Sequence, residues 1–171
     1  MIETERLLLR PHTLDDYGAL CEILQDPQAM YAYEHALPDW EAREWLERQI
    51  GRQEKFGYSP WAVILKESGR LIGQCGLSWQ ETDREDELEI GYLLNRAYWH
   101  KGYATEAAIA CRDYAFDVLE QERVCSIIRD NNLSSQAVAR RMGMKPERTF
   151  VKHYYGMEMP HIIFTVHRNE R

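Results

Sequence analysis

Between residues 5 and 11 the chain reads ERLLLRP, an apolar run closed by a proline. It predicts a short strand that stops at Pro11, because proline has no N–H for a sheet ladder. The spacing then lengthens. Thr13 with Asp16 three residues on has the chemistry of a helix N-cap, and Tyr17, Leu20, Cys21 and Leu24 recur at helical intervals until Asp26 and Pro27 break the pattern. A second helix is expected from Asp39, with Ala42, Trp45, Leu46 and Ile50 along one side and charges along the other. From Trp61 the pattern turns to strands. WAVILK, a polar ESGR turn and LIGQCGLSW predict a hairpin, and the polar loop QETDRED leads to a third strand, ELEIGYLL, so the three together read as an antiparallel meander.

After ELEIGYLL comes the Gly-containing turn YWHKGYATEA. Ala104, Ala107, Ala108, Cys111, Ala115 and Val118 then hold helical spacing to about Leu119, and RVCSII reads as a buried strand. Strand, helix and strand in that order predict a parallel crossover. DNNLSSQAVARRMG predicts a loop, a short helix and a stop at Gly143, and the runs TFVKHYY and HIIFTVH predict two last strands that close or extend the same sheet. No repeat, low-complexity stretch or linker interrupts the chain. Residues 1–171 are therefore expected to form a single domain of mixed α/β (α+β) class, with a mostly antiparallel central sheet flanked by helices.

Composition narrows the function classes. No apolar run approaches the ~20 residues that span a bilayer, and MIETERLLLR has acidic residues ahead of only three leucines, unlike a signal peptide, so a cytoplasmic protein with no membrane partner is expected. Cys21, Cys75, Cys111 and Cys125 are widely spaced within apolar patterns and predict buried free thiols. His153, His161 and His167 lack the spacing of a metal site, and no metal is expected. A net charge of −7 argues against a duplex nucleic-acid partner. The charge is unevenly divided: residues 1–99 hold 10 basic and 19 acidic side chains, whereas residues 100–152 hold 9 and 7. The segment opened by the turn is thus the least hostile to a polyanion, and the first half favours a cationic partner.

The turn itself has the chemistry of an anion site. A helix entering near Ala104 leaves its first N–H groups without intrahelical partners and directs the positive end of its dipole at the turn. Gly102 allows close backbone approach, Ala104 adds little bulk, and Lys101 and Thr105 offer a charge and a hydroxyl. In isolation the same stretch also reads as an ordinary turn. Along ELEIGYLL, alternation sends Leu88, Ile90, Tyr92 and Leu94 to one face and Glu87, Glu89, Gly91 and Leu93 to the other, more polar one. By alternation alone Glu89 points to water. Asn132, Ser134 and Ser135 read equally as helix-cap residues and as site residues, and Arg140 and Arg141 as a solvated helix face. Cys111 and Cys125 belong to core patterns with no His beside them and are not nucleophile candidates.

TERLLLRP, EIGYLL, YWHKGYATEA and NLSSQAVARRMGM, in that order, resemble the GNAT superfamily of N-acetyltransferases over nearly the whole chain. Together they look like the branch that includes the ribosomal-protein alanine N-acetyltransferases (RimJ/RimL-like). The resemblance implies a strand–pyrophosphate turn–helix–strand core that binds acetyl-CoA. Its pyrophosphate would lie on the backbone of His100, Lys101, Gly102, Tyr103, Ala104 and Thr105, and its pantetheine arm against the main chain of Leu93 and Leu94. Asn132 would bind the cofactor arm, the Ser135 hydroxyl would lie near the thioester sulfur, and Arg141, with Arg140, would reach the ribose phosphate. This chain has Trp99 at the first position of the family's turn pattern and His100 where relatives commonly have Gly.

Acetyl transfer to a primary amine requires a base for the ammonium, donors for a tetrahedral oxyanion and a proton for the leaving thiolate. The resemblance implies Glu89 as base, directly or through water, with Glu87 behind it. It implies a backbone N–H near Leu94 at the thioester carbonyl, and Ser135, Tyr103, Tyr154 or Tyr155 as candidates for the thiolate proton. Tyr31, Tyr33, Glu34, Trp40 and Tyr155 are read either as a pocket for a cationic amine with an apolar neighbour or as packing residues. The acceptor is expected to be a peptide N-terminus or a small-molecule amine, and the C-terminal strands leave room for a homodimer. A non-catalytic acyl-CoA-binding domain is the alternative. A nucleotide-binding protein is disfavoured because no G-x-x-x-x-G-K-[ST] occurs.

Overall fold

A computed structural model describes residues 1–154 and 156–171, Tyr154 by its backbone alone. The strands are β1 (Ile2–Glu3), β2 (Leu7–Arg10), β3 (Pro60–Leu65), β4 (Arg70–Gln80), β5 (Glu87–Leu94), β6 (Arg123–Arg129), β7 (Lys145–Tyr154) and β8 (Met157–His167). The helices are α1 (Tyr17–Leu24), α2 (Asp39–Phe56), α3 (Tyr103–Asp117) and α4 (Leu133–Arg141). All eight strands join one sheet in the order β1-β2-β3-β4-β5-β6-β8-β7. Every pairing is antiparallel except β5 with β6, where α3 makes the crossover that the strand–helix–strand pattern predicts. The last two strands extend the sheet rather than close it, with β8 against β6 and β7 outermost. Among the described residues no helix is long and apolar enough to cross a membrane.

The sheet is covered on both faces. α3 buries the small stripe Ala107, Ala108, Cys111 and Ala115, which leaves room for Leu77, Ile90, Phe116 and Phe164 in the larger core. On the other face α1 and α2 close over Ala62, Ile64, Leu71 and Leu93 with Leu20, Ile23, Leu24 and Leu46. Three expectations shift. Val118 lies just past the end of α3 and is exposed, because the helix stops at Asp117 and the side chain leaves the stripe. Cys21 is half-buried, unlike the three other thiols, and all four are free. Thr13 and Asp16 do form a capping box, but it opens a short 3-10 turn (Leu14–Asp16) that precedes α1.

The β5–β6 pairing is short. Its parallel ladder rests on one register pair, Glu89 with Cys125. At one end Glu87, only 4% exposed, sits between Arg123 of β6 and Arg148 of β7, and Arg148 also reaches Asp83 at 3.1 Å. Glu87 is therefore held in an ion-pair network and takes no place in the cleft described below, which removes it as a second candidate base. Toward the other end side chains replace the ladder: the Ser126 hydroxyl donates to the Ile90 carbonyl at 2.7 Å, and the Ile127 N–H donates to the Glu89 carboxylate at 3.2 Å. Glu87→Ala leaves two guanidinium groups without their shared buried partner and is expected to cost about 3–5 kcal/mol in urea unfolding. Val118→Ala is expected to stay within about 0.5 kcal/mol.

Candidate functional site

A cleft of about 840 Å³ runs across the open end of β5 and β6, with α2 and the α1–α2 segment on one side and the start of α3 and α4 on the other. Its walls bring together Tyr31, Tyr33, Glu34, Trp40, Glu89, Leu93, Leu94, His100, Gly102, Tyr103, Ala104, Thr105, Asn132, Ser135 and Arg141, residues scattered over the chain. Lys101 is not on those walls. It is exposed, its ammonium lying 5.7 Å from the Tyr98 ring centroid. Tyr155 and the Tyr154 side chain lie outside the described residues.

At one end of the cleft the turn before α3 uses two left-handed residues, His100 (φ 62°) and Gly102 (φ 81°). The first is unusual for a side chain with a Cβ, and explains why glycine suits that position. The first bond of α3 is from the Glu106 N–H to the Gly102 carbonyl, and no side chain caps the helix. The N–H groups of Tyr103, Ala104 and Thr105 are thus left at a dipole end that opens on the cleft, which fits the pyrophosphate of a CoA molecule. The Tyr103 ring packs in the larger core under Arg6, with the guanidinium 4.4 Å from its centroid, so what this residue offers the turn is its main chain.

The turn is braced from the N-terminus. Glu106 accepts from the Thr4 hydroxyl at 2.7 Å, from the Arg6 N–H at 2.8 Å and from Arg6 Nε at 2.7 Å, while Arg6 Nη1 donates to the Lys101 carbonyl at 2.9 Å. Burial acts to raise the Glu106 pKa, but these donors outweigh it and hold the carboxyl below its usual value. Thr4 and Arg6 belong to TERLLLRP, yet nothing in their own spacing assigns them this task. Their partner is a hundred residues away.

Asn132 caps α4: its Oδ1 accepts from the Ser135 N–H and the Ser134 hydroxyl, each at 3.2 Å, and from the Tyr31 hydroxyl at 2.6 Å. The helix-cap reading therefore accounts for the oxygen, and the Nδ2 amide is the group it can offer a ligand. Tyr31 in turn ties the α1–α2 segment to the cofactor-side wall. Across the gap, the Tyr92 hydroxyl donates to the Ser135 carbonyl at 2.6 Å. Alternation correctly gives Tyr92 to the α3 face, but has no means of reporting that its tip reaches α4. The Leu94 carbonyl is occupied by the Trp99 indole N–H at 3.0 Å, which fixes the end of β5 beside the turn.

Glu89 forms part of the cleft surface where β5 and β6 part. Desolvation raises its pKa, while Lys152, the Ile127 N–H and Arg52 pull it back down. Gly91 lies beside this carboxylate, and a Cβ there would sit at ordinary contact distance, 3.6 Å, from Glu89 Oε1. The far wall contains residues that helical periodicity leaves as one amphipathic helix: Trp45, whose indole donates to Gln74 at 3.1 Å and meets the Tyr33 ring edge-on at 5.7 Å, and Arg48 and Arg52. The arrangement can hold an anion at one end and move a proton at the other.

The model of the acetyltransferase (GNAT) domain matches residues 6–145. The N-acetyltransferase YnaD of Bacillus subtilis is 32% identical over 153 residues, covering 88% of this chain and 86% of its own. The structure of a GNAT-family acetyltransferase from Bacillus anthracis superimposes with a TM-score of 0.84 at 26% identity, covering 99% of each chain. RimL, a ribosomal L7/L12 alpha-N-protein acetyltransferase solved in complex with coenzyme A, has a TM-score of 0.78 at 17% identity, covering 98% and 97%. That last likeness speaks for the fold. With a family model spanning most of the chain and matching the strands, turn and helices that build this cleft, the chain belongs to the GNAT family of acetyltransferases.

Proposed function

We propose that this chain transfers the acetyl group of acetyl-CoA directly onto a primary amine, a protein or peptide N-terminus or a small molecule, with both substrates bound at once. The observation that carries this reading is a single cleft with an uncapped helix N-terminus at one end and a desolvated carboxylate, Glu89, on its wall. TERLLLRP and NLSSQAVARRMGM support a place in the RimJ/RimL-like branch, and the fold likeness to RimL, which was solved with coenzyme A, agrees with it.

Acetyl-CoA would supply the acyl group as an activated thioester. The free N–H groups of residues 103–105 bind its pyrophosphate, assisted by the dipole of α3, and Arg141 lies where it can meet a phosphate. At the edge of β5 that parts from β6, Leu94 offers its N–H, its carbonyl being taken by Trp99, and Asn132 Nδ2 adds a donor for the amide arm. Glu89 takes a proton from the incoming ammonium, directly or through water; its raised pKa keeps it basic enough for that work. The Ser135 hydroxyl is the candidate to return a proton to the sulfur. The walls formed by Tyr31, Tyr33, Glu34 and Trp40 receive the acceptor and shield the reacting end from water.

Purified protein that binds no acetyl-CoA, and releases no free thiol with any of a broad panel of amines, would overturn this reading; tight binding without turnover would point to an acyl-CoA-binding domain. Glu89→Gln is expected to lower kcat roughly 10²–10⁴-fold while leaving CoA affinity nearly unchanged. In the wild type, kcat should rise with pH through a limb placed above the ordinary carboxylate range, since only the charged form of Glu89 is a base and burial disfavours that form. Lys152→Met removes a cation that favours the charge and should move the limb to still higher pH. Glu106→Ala releases the brace on the turn and is expected to raise the KM for acetyl-CoA about tenfold with little change in kcat, as loss of hydrogen bonds to a charged group implies.

A further inference from the structure

We propose that Arg52, with Arg48 one helical turn before it, forms a carboxylate-binding subsite in the acceptor half of the cleft, so that the amine acetylated here also carries a carboxylate. This deepens, and rests on, the acetyl-transfer reading above. Both arginines line the cleft together with Glu89. Two like charges at i, i+4 repel one another and disfavour the helix that carries them. Arg52 is half-buried, yet its hydrogen bond goes to a neutral amide, Gln49 Oε1, at 3.0 Å. Among the described residues neither arginine has a carboxylate within 4.0 Å, whereas Arg6, Arg10, Arg96, Arg112, Arg123 and Arg148 each do. In a chain with 28 acidic against 21 basic side chains, a half-buried guanidinium without a carboxylate is a group kept open for one.

The carboxylates nearby do not fill that role. Glu41 is bound to His35 at 2.6 Å, and Glu44, at a favourable helical spacing before Arg48, has no ion pair with it among the described residues. Glu89 accepts the Ile127 N–H and has to stay free for the proton. Burial and the charge of Arg48 lower the Arg52 pKa, Glu89 beyond ion-pair distance offsets this only in part, and a bound anion relieves the rest. Glu34, in the α1–α2 segment that lines the same cleft, has a buried Oε1 with no hydrogen-bond partner among the described residues, a place for positive charge. The cleft is thus polarised for a zwitterion: ammonium toward Glu34 and Glu89, carboxylate toward the planar fork of Arg52. Polyamines and aminoglycosides, which are cationic throughout, would meet like charge from Arg48, Arg52 and Lys152. The acidic first half of the sequence favours a cationic partner by net charge, but on the cleft wall Arg48 and Arg52 of α2 offset Glu41 and Glu44 of the same helix.

The test measures thiol release from acetyl-CoA by the full chain with matched acceptors: glutamate, aspartate, glycine and β-alanine, dipeptide amides beginning with Asp or Glu, the carboxamide counterpart of each, and spermidine. Carboxylate acceptors are expected to exceed their carboxamides at least ~tenfold in kcat/KM, and the stronger response to free amino acids or to acidic peptides identifies the source of the carboxylate. Arg52→Gln and, separately, Arg48→Gln should raise the KM of the carboxylate acceptors while leaving those of the carboxamides and of acetyl-CoA within about twofold. Equal wild-type preference for acid and amide, spermidine turned over as well as the amino acids, or an Arg52→Gln defect that falls on acetyl-CoA would overturn the subsite. If none of these acceptors turns over, the broad amine panel decides the acetyl-transfer reading, and calorimetric titration of the same acid–amide pairs into CoA-bound protein decides the subsite separately. Carboxylate binding that is lost in Arg52→Gln supports it, and no carboxylate binding overturns it.

Discussion

β5 and β6 can be held together at only one end, and the site exists because of that. A fully paired parallel ladder would consume the main-chain groups of residues 91–94 and leave no space between the strands. Here the ladder is reduced to Glu89 and Cys125, with Glu87, Arg123 and Arg148 clamping one end in a buried ion-pair network. Past that point Ser126 and Glu89 use their side chains to satisfy backbone groups of the neighbouring strand, so the separation does not leave these groups unpaired. The carboxylate that fills this role is also the one with the raised pKa.

The cofactor end depends on a second long-range constraint. An uncapped helix N-terminus is a binding surface only if the preceding turn stays in an uncommon conformation, and two left-handed residues within three positions, His100 and Gly102, do not hold themselves. Glu106, gripped by Thr4 and Arg6, fixes the first turn of α3 from behind, and Arg6 also holds the Lys101 carbonyl. The uncapped end of α3 is thereby positioned by a carboxylate whose donors come from the N-terminal segment. The Tyr31 hydroxyl then donates to Asn132 Oδ1 and the Tyr92 hydroxyl to the Ser135 carbonyl, so that the walls of the cleft share hydrogen bonds.

Much of the architecture was legible in the pattern of apolar positions. The meander from Trp61 to Leu94, the parallel crossover through α3 and the short helix after Asn132 follow from periodicity and turn chemistry, because these are local properties. Val118 was misplaced on the helical stripe because spacing carries no information on where the last turn ends. Glu87 and Glu89 show the limit more clearly. Alternation puts them on one polar face, but one is neutralised between two arginines and the other stands in a cleft, and the difference lies in residues on other strands.

By itself the sequence determined the order and type of the elements, the glycine-containing turn at the head of α3 and the set of residues able to carry acid–base chemistry. Only the tertiary structure decided that Thr4 and Arg6 brace the turn, that Asn132 commits its oxygen to a cap shared with Tyr31, and that Arg48 and Arg52 line the same cleft as Glu89 with no carboxylate within 4.0 Å of either among the described residues. Backbone periodicity is set by neighbours a few residues away and can be read along the chain. The charge state and partner of a side chain are set by whatever folding brings within a few ångströms, and that comes from strands and helices far apart in sequence.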